Sequence, residues 1–369
     1  MKKILIVGAG FSGAVVAEQL ARTKEYEIVI WDKRNHIGGN CHTERDSHTG
    51  VMVHKYGPHI FHTSNEEVWK YIQIFGVMRP FINRVKSITK RGVYSLPINL
   101  HTINQFFNKT FNPKEAEEFI RSIGDQSIIE PKNFEEQALK FVGKELYETF
   151  FYGYTKKQWG TEPKNLPASI LKRLPIRFNY DDNYYNDIYQ GIPEQGYTSI
   201  IQNMLDSSFI HVELEKNFFY NSSLEDKFHH IFYTGPIDEF FGYRYGRLGY
   251  RTVTFQPFNT DGDYQGNAVI NYPDETVPYT RIHEHKHFTP WETHEKTIYF
   301  QEYSKETEID DIPYYPKRLS QDLDLLEKYQ KDVYSLKNYT FLGRLATYRY
   351  LDMHHIIEEA LQVSKKFST

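Results

Sequence analysis

The chain has 369 residues, room for two or three domains at about 100–200 residues each, and its 40% hydrophobic and 25% charged content excludes a disordered tail. Forty-four basic against 48 acidic residues leave a net charge of −4, which removes any global electrostatic case for nucleic acid or an anionic membrane as partner. A single cysteine, Cys41, excludes a disulfide framework and a four-cysteine zinc site and fits a reducing compartment; the 29 Tyr and 26 Phe suit stacking on rings and binding of sugars or phosphates.

Met1-Lys2-Lys3 ahead of Ile4–Val7 imitates the start of a secretory leader, but Gly8, Gly10 and Gly13 interrupt the apolar stretch and no small-residue cleavage site follows. No window approaches the ~18 uninterrupted apolar residues of a spanning helix, so a cytoplasmic protein without membrane insertion is expected. Lys3–Val7 is a continuous β-branched run suited to a central parallel strand. Ala14–Ala21 has apolar residues at helical spacing, and Glu27–Trp31 closes a βαβ unit. Asn112-Pro113 predicts one helix start, and Asn133 with Glu135 and Glu136 predicts another, leading into Gln137–Phe151. Beyond Phe178, the runs Tyr250–Gln256, Asn267–Asn271, Thr280–His287 and Thr297–Tyr303 predict an antiparallel sheet. His229–Pro236 reads as a strand ending in Thr-Gly, Thr340–Arg344 as a short strand, and Asp352–Phe367 as a terminal helix.

Gly8-x-Gly10-x-x-Gly13 follows a strand, opens a helix, and precedes Asp32 at the end of the second strand. Each part has a physical task. Gly8 permits a tight turn, Gly10 lets the backbone approach a pyrophosphate, and Gly13 allows close helix–strand packing. The helix start at Ser12 offers free N–H groups to phosphate, and Asp32 can accept hydrogen bonds from a ribose. These features together predict a dinucleotide site. Arg34-x-x-x-Gly38-Gly39-Asn40, Thr234-Gly235 and Gly343-Arg344 resemble elements of FAD-binding proteins, so FAD is expected over NAD. The predicted fold is α/β: a discontinuous Rossmann-like FAD-binding domain (1–80, 205–245 and 335–369) with an inserted helical domain (99–172) and an antiparallel β-sheet domain (81–98, 173–204 and 246–334).

The remaining motifs narrow the family. The stretches Arg34–Asn40, Lys55–Thr63, Gly153–Gly160, Lys172–Phe178, Tyr189–Pro193, Gly266–Asn271, Val277–Arg281, Glu284–Phe288 and Gly343–Met353 resemble bacterial UDP-galactopyranose mutases over nearly the whole chain. The resemblance implies an isomerase that interconverts UDP-galactopyranose and UDP-galactofuranose with no net redox change. Reduced flavin N5 forms a covalent adduct with the anomeric carbon as UDP leaves, and the sugar recloses through a different hydroxyl. It also implies a homodimer, an electron donor such as NAD(P)H or a reductase, and a place in galactofuranose supply for cell-surface polysaccharide.

By the same resemblance, Arg173 and Arg281 hold the diphosphate, where guanidinium forks stabilise the leaving group, and Arg173 lies in a mobile loop. Tyr184, Tyr315 and Tyr350 match phenol donors around the phosphates. Phe150, Thr155 and Trp159, with Tyr154 beside them, match the uridine side, and Asn83 and Asn271 match polar positions near nucleotide and sugar. Ser12, Asp32, Lys33, Asn40, His59, Ile60 and Arg344 match cofactor contacts, joined by Gly8, Gly10, Gly13, Gly39 and Tyr350. Asp352, Met353 and His354 lie at a helix start, where N–H groups would stabilise charge on reduced flavin. His59 and His62 are placed beside the sugar and the isoalloxazine. Asp32 replaces a common Glu. Tyr185 stands where Phe is frequent, which leaves acceptance of an N-acetylgalactosamine analogue open.

Other features have plainer readings. His59-x-x-His62 and His283-x-His285-x-His287 invite a zinc assignment, the latter three falling on one face of a strand, but no cysteine or carboxylate triad completes it, and no metal is expected. Tyr180–Tyr189 reads as a Tyr-rich sheet edge, Lys156-Lys157 as an exposed turn, Cys41 as a small buried residue, and Arg177 as an ion-pair partner. An FAD oxidase or dehydrogenase acting on an amine or alcohol is the alternative enzyme, and a non-catalytic nucleotide-sugar binder the third. Neutral substrates have no use for Arg173 and Arg281 in one cleft, and a binder leaves Arg344 unexplained.

Overall fold

Lys2–Val7 (β1) runs through the centre of a five-stranded parallel sheet in the computed structural model, which describes residues 1–173, 176–220 and 222–368. The sheet order is Ile210–Glu213, Tyr26–Trp31 (β2), β1, His230–Tyr233 and Tyr339–Phe341. Residues far apart in sequence thus meet in one sheet, and the Rossmann-like unit is discontinuous. The helix Phe11–Thr23 (α1) covers one face with Gly196–Leu205 and Met353–Phe367. Ile4, Ile6, Val15, Val16, Leu20, Ile28 and Ile30 are fully buried there, each worth about 1.5–3 kcal/mol of apolar burial. Leu5, Val29, Ile231 and Tyr233 point to the opposite face and pack with Phe240 and Tyr339.

The predicted helical unit is present as Leu100–Phe107, Pro113–Ile123 and Phe134–Leu146, with Asn99, Asn112 and Asn133 as side-chain caps. Asn112 and Glu115 form a reciprocal capping box. Gln137–Phe151 is not one helix. Gly143 takes φ 76, a kink that interrupts the ladder, and Tyr147–Tyr152 widens into a π-helix before Gly153–Trp159 resumes α geometry.

A seven-stranded sheet forms the other wall, in the order Tyr315–Pro316, Tyr250–Asp261, Lys296–Glu306, Arg281–Glu284, Val269–Asn271, Val85–Thr89, Gly92–Leu96. It is mixed, not antiparallel as expected, because Val85–Thr89, delivered by chain that precedes the helical insertion, pairs parallel with Val269–Asn271. A small sheet of Phe61–Thr63, Tyr189–Pro193 and Met78–Pro80 bridges the units. Only Tyr189 of the Tyr180–Tyr189 run is in a strand. Residues 180–188 are irregular and gathered by buried Arg177, which pairs with Asp181 at 3.2 Å and donates to Asn183 O and Asn186 Oδ1. The strand expected over Thr280–His287 stops at Glu284 and turns into a 3-10 helix, His285–Phe288, so His283, His285 and His287 do not share one face.

Candidate active site

The glycine loop sits at the carboxyl end of β1, where ligands of open parallel sheets bind. Gly8 takes φ +109, and a Cβ on it would collide with Thr234 Oγ1, so the turn demands glycine for conformation and for space. Gly10 and Gly39 lie against each other, bringing the two glycine motifs into one cradle. Asp32, 8% exposed, accepts from Ala9 N at 2.7 Å and Arg34 N at 2.9 Å, so its carboxylate also braces the loop. Arg34 donates to Asn40 Oδ1 at 2.7 Å and lies over the Tyr56 ring, with its buried Nη1 unpartnered.

Two helices present bare amino ends to this region. Neither α1 nor Met353–Phe367 has a side-chain cap or an acidic residue in its first turn, leaving N–H groups available to an anionic ligand. Asp352 is the N-cap residue of the second helix yet makes no capping bond. Gly343 packs on Ser12 with no room for a Cβ between them. Arg344 donates to Leu351 O and Tyr314 O, and its guanidinium lies 5.5 Å from the rings of both Tyr315 and Tyr350, which are themselves stacked.

Across the mixed sheet, Asn271 pairs in register with Arg281, and Arg281 with Glu302. Three strands therefore set one transverse row of polar side chains on the face turned toward the cleft. Glu302 Oε1 lies 3.7 Å from Arg281 Nε, and its Oε2 lies 3.4 Å from His283 Nε2. Arg281 Nη2 donates to the Tyr154 hydroxyl. That bond joins the sheet to the helix Gly153–Trp159.

The same helix lines a cavity of about 100 Å3 that brings together Phe150, Tyr154, Thr155, Trp159, Tyr184 and Asn271. Ile170 and Ile176, either side of the Arg173 segment, join the lining; as ordinary apolar residues neither stood out as a site residue in the sequence. Arg173 ends a 3-10 helix, Ala168–Arg173, where a loop was expected; its side chain lies outside the described residues. Burial pushes Tyr184 up to about 12 and Tyr185 well above the phenol range, so both are hydrogen-bond donors at neutral pH.

Tyr184 meets Tyr185 edge-on, and Tyr185 stacks flat on His62 with centroids 3.8 Å apart. His62 donates from Nδ1 to Asp187 at 2.6 Å and packs edge-on against His354. Burial draws His59 and His354 down to about 4, so both are neutral at physiological pH. His59 Nδ1 bonds Gly57 O at 2.7 Å.

Ile60 is core, Lys33 faces Glu239 at 3.5 Å, and Met353 packs under the sheet. Buried Asn83 accepts from Tyr184 N through its backbone carbonyl, and its side-chain Oδ1 is unpartnered. Lys156 and Lys157 lie in a helix, not an exposed turn: Lys156 pairs with Glu162 and Glu275, whereas burial draws Lys157 down to about 8. Burial raises the Cys41 thiol to about 12, which leaves it protonated and unreactive at neutral pH. Asp263, Glu284 and His287 form a trio with ligand atoms within 4.8 Å, but Lys286 already pairs with Asp263 and backbone N–H groups of Tyr264 and Gln265 occupy Glu284. Glu302 and Asp187 carry no signal in the sequence, and Lys157 reads there only as part of an exposed turn, because their partners lie across strands or in distant loops.

Parallel sheet and glycine cradle define a Rossmann-like nucleotide-binding protein, with Arg281 joined to the cavity-lining Tyr154 between the inserted units. A family model described as UDP-galactopyranose mutase matches residues 149–350, and one described as NAD(P)-binding Rossmann-like domain matches residues 6–75. The chain is 57% identical over 366 residues to a Klebsiella pneumoniae protein named "Probable UDP-galactopyranose mutase", covering 99% of this chain and 94% of that one. It is also 51% identical over 373 residues to an Escherichia coli dTDP-fucopyranose mutase, covering 100% and 98%. A crystal structure of reduced UDP-galactopyranose mutase superposes with a TM-score of 0.79 at 14% identity, covering 100% of this chain and 94% of that chain; it shows the fold. The chain belongs to the UDP-galactopyranose mutase family.

Proposed function

We propose that the protein interconverts UDP-galactopyranose and UDP-galactofuranose and that its dinucleotide cofactor is FAD, active in the reduced form. The observation that carries this reading is Arg281. It stands in the Asn271–Arg281–Glu302 row, bonded to Tyr154 at the mouth of an aromatic cavity and within electrostatic reach of Tyr315. A cation at the junction of a ring-binding pocket and a cluster of phenols suits a nucleoside diphosphate whose base enters the pocket.

FAD fits the residues present. Gly8 and Gly13 leave no room for a Cβ, α1 offers uncapped N–H groups to a pyrophosphate, and the start of Met353–Phe367 offers the same to the anionic pyrimidine end of a reduced flavin. When bound, reduced flavin supplies a nucleophilic nitrogen for the anomeric carbon.

The chain's own residues do the rest. Arg281, with Arg173, stabilises the departing diphosphate, while Tyr184, Tyr315 and Tyr350 donate hydrogen bonds to it. Asn83 and Asn271 offer polar contacts to the nucleotide and sugar. Phe150, Thr155 and Trp159 seat the uracil. His59 presents a neutral ring beside Arg344, and His62, held by Asp187, offers its second nitrogen to a sugar hydroxyl.

Relatives named for UDP-galactopyranose and for dTDP-fucopyranose match almost equally well, so the base methyl and the sugar C6 hydroxyl are the features to test. The Tyr185 hydroxyl near the sugar bears equally on an N-acetyl analogue. NAD(P)H or a reductase as electron donor, a homodimer and a cytoplasmic location complete the proposal; among the described residues no helix is long and apolar enough to cross a membrane.

The deciding assay incubates the yellow protein with UDP-galactofuranose, with and without dithionite, and separates the products. Pyranose formed only after reduction supports the proposal. Stoichiometric use of oxygen or NAD(P)H with an oxidised sugar would replace it with the oxidase reading. Running UDP-galactose, UDP-N-acetylgalactosamine and dTDP-fucose side by side settles the preferred sugar nucleotide.

A further inference from the structure

Lys157 has an unusual environment for a lysine on a helix of a soluble protein. Its Nζ lies 2.6 Å from Tyr272 O, 2.8 Å from Asp274 O, 2.8 Å from Val277 O and 2.9 Å from Tyr279 O. An ammonium has three hydrogens and no acceptor, so four carbonyls at this range use all of them with one shared. The four carbonyls belong to a single loop, which leaves Val269–Asn271 and returns as Arg281–Glu284.

That loop and the helix carrying Lys157 are the two walls of the candidate site. Tyr154, Thr155 and Trp159 come from the helix Gly153–Trp159, and Asn271 and Arg281 flank the loop at its two ends. The helix is pressed close: a Cβ on Gly153 would collide with Pro273 O. Neighbouring Lys156 reaches the same loop only through its exposed pair with Glu275 at 3.0 Å, which is weak in water.

We propose that Lys157 is a positioning residue for nucleotide-sugar binding: its ammonium ties the 272–279 loop to the helix and so sets the spacing between the base-side wall and the Asn271–Arg281 pair. The inference rests on reading the cavity as the nucleotide pocket. Without the ammonium, four inward-facing carbonyls lose their donor and the loop must turn them toward water, which moves both of its ends. Lys157 does not touch the reacting atoms, so its loss acts by displacing Asn271 and Arg281: binding weakens and KM rises, while kcat falls far less than on truncating Arg281 itself.

The test uses the flavin-loaded full chain. UDP binding is followed by tryptophan fluorescence, and turnover by the reduced enzyme at saturating substrate, for wild type, Lys157→Met and Lys157→Ala. Expected for Lys157→Met are a UDP Kd and a KM raised by about tenfold or more, a kcat lowered by far less than the roughly thousandfold of Arg281→Ala, and an unchanged flavin spectrum. Affinity lost in Lys157→Ala should return on adding ethylammonium but not sodium at equal ionic strength. Should Lys157→Met be insoluble, Lys157→Ala, which also removes every donor, carries the same criteria. A lowered melting temperature with Kd and KM unchanged would overturn the positioning role, as would a fall in kcat at constant KM. Failure of the wild type to bind UDP would overturn the pocket reading and this role with it, whereas wild-type binding matched by the variants would overturn this role alone.

Discussion

His62 Nδ1 and Asp187 Oδ2 lie 2.6 Å apart, and Ser64 Oγ donates to the other carboxylate oxygen at 2.8 Å. Burial works to raise the Asp187 carboxyl, but the bonds from His62 and Ser64 outweigh it and hold the group below the usual carboxylate range. An anionic carboxylate only accepts, so Nδ1 carries a proton, and in the neutral ring Nε2 is then the acceptor nitrogen. Asp187→Asn removes that constraint, because an amide can also donate and admits the other tautomer. A drop in kcat of about tenfold or more is expected, with a displaced pH–rate profile and flavin content unchanged. The measurement is steady-state turnover of the reduced enzyme from acid to alkaline pH; an unaltered profile would remove His62 from proton transfer.

Arg281 is the residue on which the diphosphate assignment stands. Its guanidinium is oriented by Tyr154 and Glu302 and lies in a different unit from the glycine cradle. Arg281→Ala should therefore reduce kcat by about a thousandfold while leaving the bound-flavin absorption spectrum intact. The same split is expected of Arg173→Ala. Loss of flavin in either variant would place that residue in the cofactor site.

Gly8→Ala tests the cradle. The added methyl group collides with Thr234 Oγ1, and the φ of +109 strains any residue but glycine. The variant is expected to purify without flavin or not to fold, in contrast to Arg281→Ala. Full flavin occupancy in Gly8→Ala, read from the ratio of flavin to protein absorbance, would contradict the role given to this turn.

Acid should destabilise the fold before most carboxylates titrate. Burial is the leading cause that draws His59, His230 and His354 down to about 4 and His285 to about 3, and it holds His54 and His283 well below their ordinary value. Between the ordinary histidine range near 6.5 and about 4, the unfolded chain binds protons that the folded chain refuses. Stability is thus fully present above that range and lost as pH falls through it, by about 1.4 kcal/mol per pH unit for each proton. Urea unfolding at a series of pH values checks the slope; a flat dependence above pH 4 would show these rings to be solvated.

Local physics made part of this protein readable from residues alone. The β-branched run at β1, the glycines of the turn, and the Asn112 and Asn133 caps act over a few neighbours, so their consequences follow from spacing. The helices of the inserted unit stand where those caps predicted. Local spacing misled where a neighbour overrode it. Gly143 broke the helix expected through Phe151, and His285 left the strand, scattering three histidines that alternation would have aligned.

Strand runs, caps and the glycine turn were determined by sequence, because hydrogen-bond geometry and side-chain periodicity are properties of adjacent residues. Tertiary structure alone decided that Asn271, Arg281 and Glu302 form one row, that Asp187 meets His62 from 125 residues away, and that Lys157 reaches a loop more than 110 residues downstream. Such pairings depend on strand register and on the crossing of segments far apart in the chain, and an isolated Lys, Asp or Glu carries no mark of the partner it will meet.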